Sequence, residues 1–168
     1  MKNNIEFREK QRMTQWWLWL LMIGINIPFI YGIYHQIFMG EPWGNNPMSD
    51  TGLIIAAAFI FLFTLVLLFS FLETVITKHG IYVRYFPFHI KFKYYDWNEI
   101  SKVEIKNFNA IRNFGGYGVR YKKGMKASYI LGGNKAILIE LKSGKEFMIG
   151  TQKPEETEQV LKELGKIN

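Results

Sequence analysis

The chain has 168 residues and a formal net charge of +7, and hydrophobic residues make up 49% of it. That hydrophobic fraction excludes the intrinsically disordered class, which is defined by low hydrophobicity and high charge. The absence of cysteine excludes disulfides, thiolate nucleophiles and cysteine-ligated zinc. The apolar residues concentrate between Met13 and Ile76, and the remainder has the composition of an ordinary soluble domain.

Residues 1–12 are interpreted as an N-terminal tail, and two uncharged segments follow it. No Lys, Arg, Asp or Glu occurs from Met13 to Gly40 or from Thr51 to Leu72. A hydrocarbon core of about 30 Å needs about 20 helical residues. We therefore expect helices at about 14–38 and 52–75, which together form a transmembrane hairpin over residues 13–76. The first segment is too long for a cleaved signal peptide.

The basic residues predict the orientation of this hairpin. The N-terminal tail carries four of them and the connection between the helices carries none, whereas residues 76–168 hold 17 of the 21. Because positively charged flanks stay in the cytoplasm, both termini are expected there. The chain is thus expected to be a multi-pass protein of the cell membrane, which is the inner membrane where there are two.

Polar residues in and beside the apolar segments allow more than one interpretation. Asn26 and Pro28 interrupt the first helix, and they either line a polar pathway or form a tolerated kink in which Asn26 bonds the partner helix. We favour the second, since such side chains commonly bridge membrane helices. Glu73 is expected near a helix end, where a polar tip can reach the membrane interface.

From residue 77 onward the hydrophobic period changes to two, which is typical of β-strands. A glycine-containing turn at Ser143-Gly144 between two alternating runs predicts a hairpin. The seven expected strands cover residues 81–86, 88–94, 100–108, 119–122, 127–131, 137–141 and 147–149.

An amphipathic helix is expected at the end of the chain. Pro154 suits the first helical position, and the acidic residues that follow favour the positive end of the helix dipole. The apolar positions Thr157, Val160, Leu161 and Leu164 have the spacing of one helix face.

Several motifs of this region resemble the pleckstrin-homology-like fold in the form found in bacterial membrane proteins. They are Gly80-Ile81-Tyr82, Trp97-Asn98-Glu99-Ile100, the glycine-rich stretch from Phe114 to Arg120, and Ile149-Gly150-Thr151-Gln152 before Pro154. The resemblance implies a cytoplasmic domain over residues 77–168, built as a partly open barrel of seven strands that a C-terminal helix caps. Domains of this kind bind lipids, peptides or other domains, so the fold alone does not fix the function.

The glycine-rich stretch is a candidate anion site through its backbone. Gly115, Gly116 and Gly118 could present converging amide groups to a phosphate, or they could simply supply positive φ angles between strands. We favour the second interpretation. No Gly-Lys-Ser/Thr follows the glycines, so a nucleotide-binding loop of the Walker type is not supported.

A cluster of basic residues close to these glycines is the candidate lipid-binding or anion-binding site. Residues 76–168 carry a net charge of +8, and each Lys or Arg near an anionic leaflet contributes about 1 kcal/mol of attraction. The cluster either selects a lipid headgroup or adds only general attraction to the membrane surface. Its members are Arg112, Arg120, Lys122, Lys123 and Lys126.

No catalytic constellation, metal site or cofactor motif is found, and nucleic-acid binding is not expected. Three functional hypotheses remain. The first is a non-catalytic interaction module, held at the inner leaflet, that binds a protein partner or forms a homo-oligomer. The second is a sensor of anionic membrane lipids that uses the basic 112–126 region. The third is a small subunit of a transport or channel assembly organised around Asn26.

Overall fold

The computed structural model describes residues 5–120 and 125–167, and in residues 125–127 it describes the backbone alone. The chain divides into two compact units. Residues 14–69 form a helical unit, and the described residues before and after them form one β-rich unit. The helical unit is therefore an insertion within the sequence of the β-rich unit.

Two apolar helices make up the helical unit. Helix α1 covers Trp16–Ile33 and continues as a π-helical turn over Tyr34–Phe38, and helix α2 covers Asp50–Phe69. Both helices are long and apolar enough to cross a membrane. Helix α2 ends at Phe69 and not near residue 75 as expected, because the residues from Phe71 onward pair as a strand with neighbours on both sides.

A polar contact links the two helices. The Asn26 side-chain amide donates to the Thr64 hydroxyl at 2.9 Å and to the Met22 carbonyl at 2.8 Å. The expectation that Asn26 bonds the partner helix is therefore confirmed.

The first sheet of the β-rich unit has four antiparallel strands in the order β1-β2-β3-β4. They are β1 (Ile5–Arg12), β2 (Phe71–Thr77), β3 (Gly80–Phe86) and β4 (Lys93–Asp96).

Strand β1 corrects the assignment of residues 1–12 to a separate tail, since residues 5–12 belong to the sheet. Within β1, Phe7, Glu9 and Gln11 are buried while the basic residues between them are exposed. Because the buried face of β1 carries the charged residue Glu9 and the exposed face carries basic residues, the sequence does not show the alternation of apolar and polar residues that is typical of a strand.

The second sheet has five strands in the order β5-β8-β9-β7-β6. They are β5 (Ile100–Asn107), β6 (Gly118–Arg120), β7 (Met125–Ile130), β8 (Lys135–Leu141) and β9 (Glu146–Thr151), and a short helix α3 (Ala110–Phe114) follows β5. Strands β7 and β9 pair in parallel, and the other pairs are antiparallel.

The seven expected strands correspond to β3–β9, whereas β1 and β2 were not expected. The second expected strand, 88–94, overlaps β4 only at residues 93–94, because residues 87–92 form a connection in which the His89 amide donates to the Tyr85 carbonyl at 2.7 Å.

Both sheets contribute to one hydrophobic core, and neither sheet closes on itself. The rings of Tyr95 and Phe147, one from each sheet, stack with centroids 4.2 Å apart. Helix α4 (Pro154–Glu163) places Leu161 in this core and buries Thr157, which confirms the expected C-terminal helix and its apolar face.

Buried polar contacts join β1 to the end of β9. The Glu9 carboxylate accepts from the Thr151 hydroxyl and from the Gln152 amide, both at 2.8 Å. The Gln11 side-chain amide donates to the Gly150 carbonyl at 2.6 Å. Burial raises the pKa of Glu9, although these donors partly oppose the rise. Strand β1 thus fastens the first sheet to the segment that leads into α4.

Candidate binding surfaces

The glycine-rich connection between α3 and β6 is built from left-handed backbone. Gly115 ends α3 with a φ of 71°, and Gly116 and Gly118 have φ angles of 134° and 109°. A residue with a Cβ is disfavoured in this region of φ, whereas glycine is not. The expectation that these glycines supply positive φ angles is confirmed.

The structure brings one candidate cation, Arg120, to these glycines. Its guanidinium lies 3.2 Å from the position that a Cβ on Gly116 would occupy. Arg112 lies on α3 with an exposed side chain, and its amide is capped by the Asn109 side chain. Lys122 and Lys123 lie outside the described residues, as does the side chain of Lys126. Assembly of the five cations into one site therefore stays a prediction.

A groove beside strand β5 is a second candidate surface. It has a volume of about 530 Å³ and lies between β5 and the end of α4. Val103, Ile105 and Ile167 supply its apolar lining, and all three belong to the core or pack against it. Because β5 is the first strand in the order of the five-stranded sheet, one edge of β5 has no neighbouring strand among residues 5–120 and 125–167.

Lysines outnumber carboxylates around this groove. Lys102, Lys135 and Lys166 line it together with Glu104 and Glu158. Ammonium groups of Lys102 and Lys106 lie 2.8 and 2.7 Å from the Glu104 carboxylate, and these bonds lower the pKa of Glu104 to about 2. The groove is therefore slightly basic, with one carboxylate already neutralised by its neighbours.

The third surface is the outer face of the four-stranded sheet, which carries a buried carboxylate between two guanidinium groups. Glu73 lies in β2 with only 1% of its side chain exposed. It accepts from Arg8 Nε at 2.8 Å and from Arg84 Nη2 at 2.5 Å. Burial alone would raise the pKa of Glu73, but the two arginines reverse this and hold the pKa below its usual range. Glu73 is thus a strand residue, and the expectation that it lies near a helix end is wrong.

Aromatic rings surround these charges. The Arg84 guanidinium lies 4.5 Å from the centroid of the Phe92 ring and 5.3 Å from that of Phe71, and Lys10 lies 4.0 Å from the centroid of Phe71. Phe71 stacks in turn on Phe86, its partner in the next strand. Cation–π contacts of this kind stabilise cations beside aromatic faces.

Residues 87–92, between β3 and β4, expose two apolar side chains. Phe88 is 68% exposed and Ile90 is 74% exposed. Sequence reasoning assigned these residues to a strand and therefore missed the exposed pair. The available signal was Pro87, which cannot donate to a strand ladder.

Comparison with known proteins gives a family but no activity. A family model matches the chain from residue 2 to residue 164, and the family is described as one of unknown function. No curated protein and no solved structure matches the chain. Among the described residues, no group of three His, Asp or Glu side chains is placed to hold a metal ion.

Proposed function

The chain belongs to the family DUF6141, and since that family has no known function, we propose one from the geometry. The protein is a membrane-anchored binding module, and the groove beside β5 takes an extended peptide segment of a protein partner. The observation that carries the proposal is an edge of β5 that pairs with no strand of the described chain and lies next to a groove that the end of α4 borders.

The two apolar helices support the membrane anchor. Their most apolar windows have only 11% and 6% of residues buried within the structure. A core helix of a soluble protein would instead be mostly buried. Insertion into a bilayer removes these apolar side chains from water, which is favourable. With the basic flanks, this supports a hairpin with both termini in the cytoplasm.

The edge of β5 supports the peptide assignment. An extended segment can pair its main chain with an exposed sheet edge while side-chain pockets select its sequence. Val103, Ile105 and Ile167 can receive an apolar side chain, and the excess of lysines favours an acidic segment.

We also infer a pleckstrin-homology-like fold for the β-rich unit. The seven strands β3–β9, arranged in two sheets and followed by α4, support it. The unit departs from the expected seven strands because β1 and β2 extend the first sheet. An experimental structure of the full chain that showed a different packing of the two sheets would contradict this inference.

The peptide proposal is tested with the full chain in lipid nanodiscs and a displayed library of short linear peptides. Selected peptides should slow hydrogen exchange of the β5 amides, because strand addition bonds them. Binding should weaken at least about tenfold in Ile167→Asp, a loss of about 1.4 kcal/mol, and should be unchanged in the matched variant Ile111→Asp. Ile111 is an exposed isoleucine on α3, outside the groove. Peptides that bind Ile167→Asp as tightly as the wild type, or that leave β5 exchange unchanged, would overturn the proposal.

A further inference from the structure

The connection between β3 and β4, residues 87–92, carries the two most exposed large hydrophobic side chains of the described β-rich unit. Outside the helical unit, the exposed large hydrophobic residues among the described residues are Ile5, Phe88, Ile90, Tyr94 and Ile111. Single exposed apolar residues are common on protein surfaces. Phe88 and Ile90, however, lie two residues apart on one short connection, and each is more than two-thirds exposed. Together they form an apolar tip that is unfavourable to expose to water.

Contacts with the sheet hold this tip in place. The Arg84 guanidinium donates to the Ile90 carbonyl at 3.5 Å and lies over the ring of Phe92. The His89 amide donates to the Tyr85 carbonyl at 2.7 Å, and the His89 ring lies 5.7 Å from that of Tyr129. The His89 side chain is thus turned toward the sheet. Phe88 and Ile90 stay largely exposed, although the Phe88 ring centroid lies 5.5 Å from that of Tyr85.

Strand register places the connection at one end of the four-stranded sheet. Arg12 pairs with Phe71, and Phe71 pairs with Phe86, the last residue of β3. Ser70 alone separates Phe71 from the last residue of α2, and three residues separate Arg12 from the start of α1. The connection therefore leaves the sheet at the end where the chain continues into both apolar helices.

The charge around the connection suits an anionic bilayer surface. From residue 87 to residue 95 the chain carries Lys91 and Lys93 and no acidic residue. Lys10 and Arg12 are exposed on β1, close to the row where the chain leaves the sheet. Basic residues near an anionic leaflet are attracted to it, and apolar side chains such as Phe and Leu bury at the boundary between headgroups and acyl chains when basic residues accompany them.

We propose that Phe88 and Ile90 insert into the headgroup region of the lipid bilayer and hold the β-rich unit against the membrane surface. The bilayer accepts the apolar side chains, and Lys91 meets anionic headgroups beside them. The proposal rests on the membrane anchor of the proposed function and is independent of the peptide groove.

Single-cysteine variants test the proposal, because the chain has no native cysteine. A nitroxide label is attached at Ile90→Cys in the full chain, which is reconstituted into vesicles of phosphatidylcholine and phosphatidylglycerol. Collision rates are measured with oxygen, which concentrates in lipid, and with a water-soluble nickel chelate. We expect the ratio of oxygen to nickel collisions at Ile90→Cys to be several-fold higher than at a solvent reference.

Ser143→Cys supplies that reference, because Ser143 is exposed and lies on a turn of the five-stranded sheet, beside the end of the four-stranded sheet that is opposite to the connection. It belongs to the β8–β9 turn, whose Lys142 amide donates to the Glu99 carbonyl at 2.8 Å. Glu99 ends the short turn that follows Asp96, and Asp96 pairs with Gly80. Gly80 is the first residue of β3, whereas the connection follows the last residue of β3, Phe86.

A label at Ile55→Cys, an exposed position of α2, separates failure of the anchor from failure of the proposal. If Ile55→Cys is in lipid but Ile90→Cys matches Ser143→Cys, the insertion is overturned while the anchor stands. If Ile90→Cys is shielded from both oxygen and nickel, a protein contact covers the connection and the insertion is again overturned. If Ile55→Cys itself is in water, the anchor fails and the insertion fails with it.

Discussion

Arg12 and Phe71 are direct partners on adjacent antiparallel strands, although the whole helical unit lies between them in the chain. The first sheet is therefore completed only when residues before α1 and residues after α2 meet. Strand β1 contributes Phe7 to the core, and β2 contributes Leu72 and Ile76. A domain boundary at residue 77, which the sequence suggests, would remove all three.

We predict that a fragment of residues 77–168 does not fold. It lacks two strands of the first sheet and leaves the core faces of β3 exposed to water. Circular dichroism should show no cooperative thermal transition. The control is a fusion in which a short glycine–serine linker replaces residues 14–69, and this fusion should melt cooperatively. A dispersed amide NMR spectrum from the 77–168 fragment would contradict the prediction.

The same fusion is suited to the hypothesis that the basic 112–126 region binds anionic lipid. Co-sedimentation with vesicles of different headgroups, at low salt and at about 0.15 M, where the Debye length is about 8 Å, distinguishes the alternatives. Headgroup-selective binding that survives salt and weakens in Arg120→Ala would support a site. Binding that salt abolishes for every anionic lipid would mean general surface attraction.

Replacing Glu73 with glutamine is expected to destabilise the β-rich unit. The substitution removes the charge that both Arg8 and Arg84 contact, and loss of a buried charge-assisted partner costs about 1–3 kcal/mol. The thermal midpoint at neutral pH should fall by several degrees. The matched control is Glu6→Gln, which breaks the more exposed 3.7 Å pair with Lys78. Such surface pairs contribute about 0–1 kcal/mol, so an equal effect of the two variants would argue against a special role for Glu73.

The pH dependence of stability should carry a Glu73 component of defined sign. The folded state holds the pKa of Glu73 below its usual range, which is about 4.3 in unfolded chains. The stabilisation is therefore complete above about pH 4.3 and is lost as the pH falls through the lower folded pKa. The difference in melting temperature between wild type and Glu73→Gln should shrink over that acidic interval. A difference that is constant with pH would contradict the prediction.

Glu9 should contribute with the opposite sign. Burial raises its pKa in the folded state, so ionisation opposes folding, and stability falls as the pH rises from about 4.3 to the higher folded pKa. Glu9→Gln removes this component while weakening the contacts with Thr151 and Gln152. The variant should melt below the wild type, by a margin that is largest at the acidic end of the range. A margin that grows toward neutral pH would show that the ionised carboxylate stabilises the fold.

Gly80→Ala is expected to disrupt the pairing of β3 with β4. A Cβ at this position would lie 2.2 Å from the Tyr95 carbonyl oxygen, so the two backbones must separate. Overpacking of this kind costs about 1–3 kcal/mol or more, which a thermal melt can detect. Gly24→Ala is the control, because a Cβ on Gly24 meets no atom within 4 Å. Equal stability of the two variants would contradict the register of β3 and β4.

Asn26→Leu is expected to change stability only slightly and to leave the oligomeric state unchanged. Asn26 is bonded to Thr64 within the same chain, and hydrogen bonds between membrane helices contribute about 0.6 kcal/mol on average. Light scattering in mild detergent should give the same mass for variant and wild type. Dissociation of an oligomer on this substitution would instead favour the hypothesis of a transport or channel subunit.

Local features of the sequence were sufficient for much of the fold. The two apolar helices follow from uncharged segments of membrane length, and α4 follows from Pro154 and an apolar stripe. Strands β3–β9 follow from a period of two and from their turn residues, although their ends differ by several residues. These features are predictable because each depends on residues that are close in the chain.

Contacts between distant segments decided what the sequence did not reveal. The period of β1 is concealed because charged side chains occupy both of its faces, and Glu9 is buried only through donors at the end of β9. Glu73 is equally undistinguished until Arg8 and Arg84 meet on either side of it. By itself the sequence determined which segments are apolar helices and which are strands, since hydrophobic periodicity is a local property. Only the tertiary structure decided which strands pair, which charges are buried and where an unpaired edge adjoins a groove, because those outcomes require residues far apart in the chain to come together.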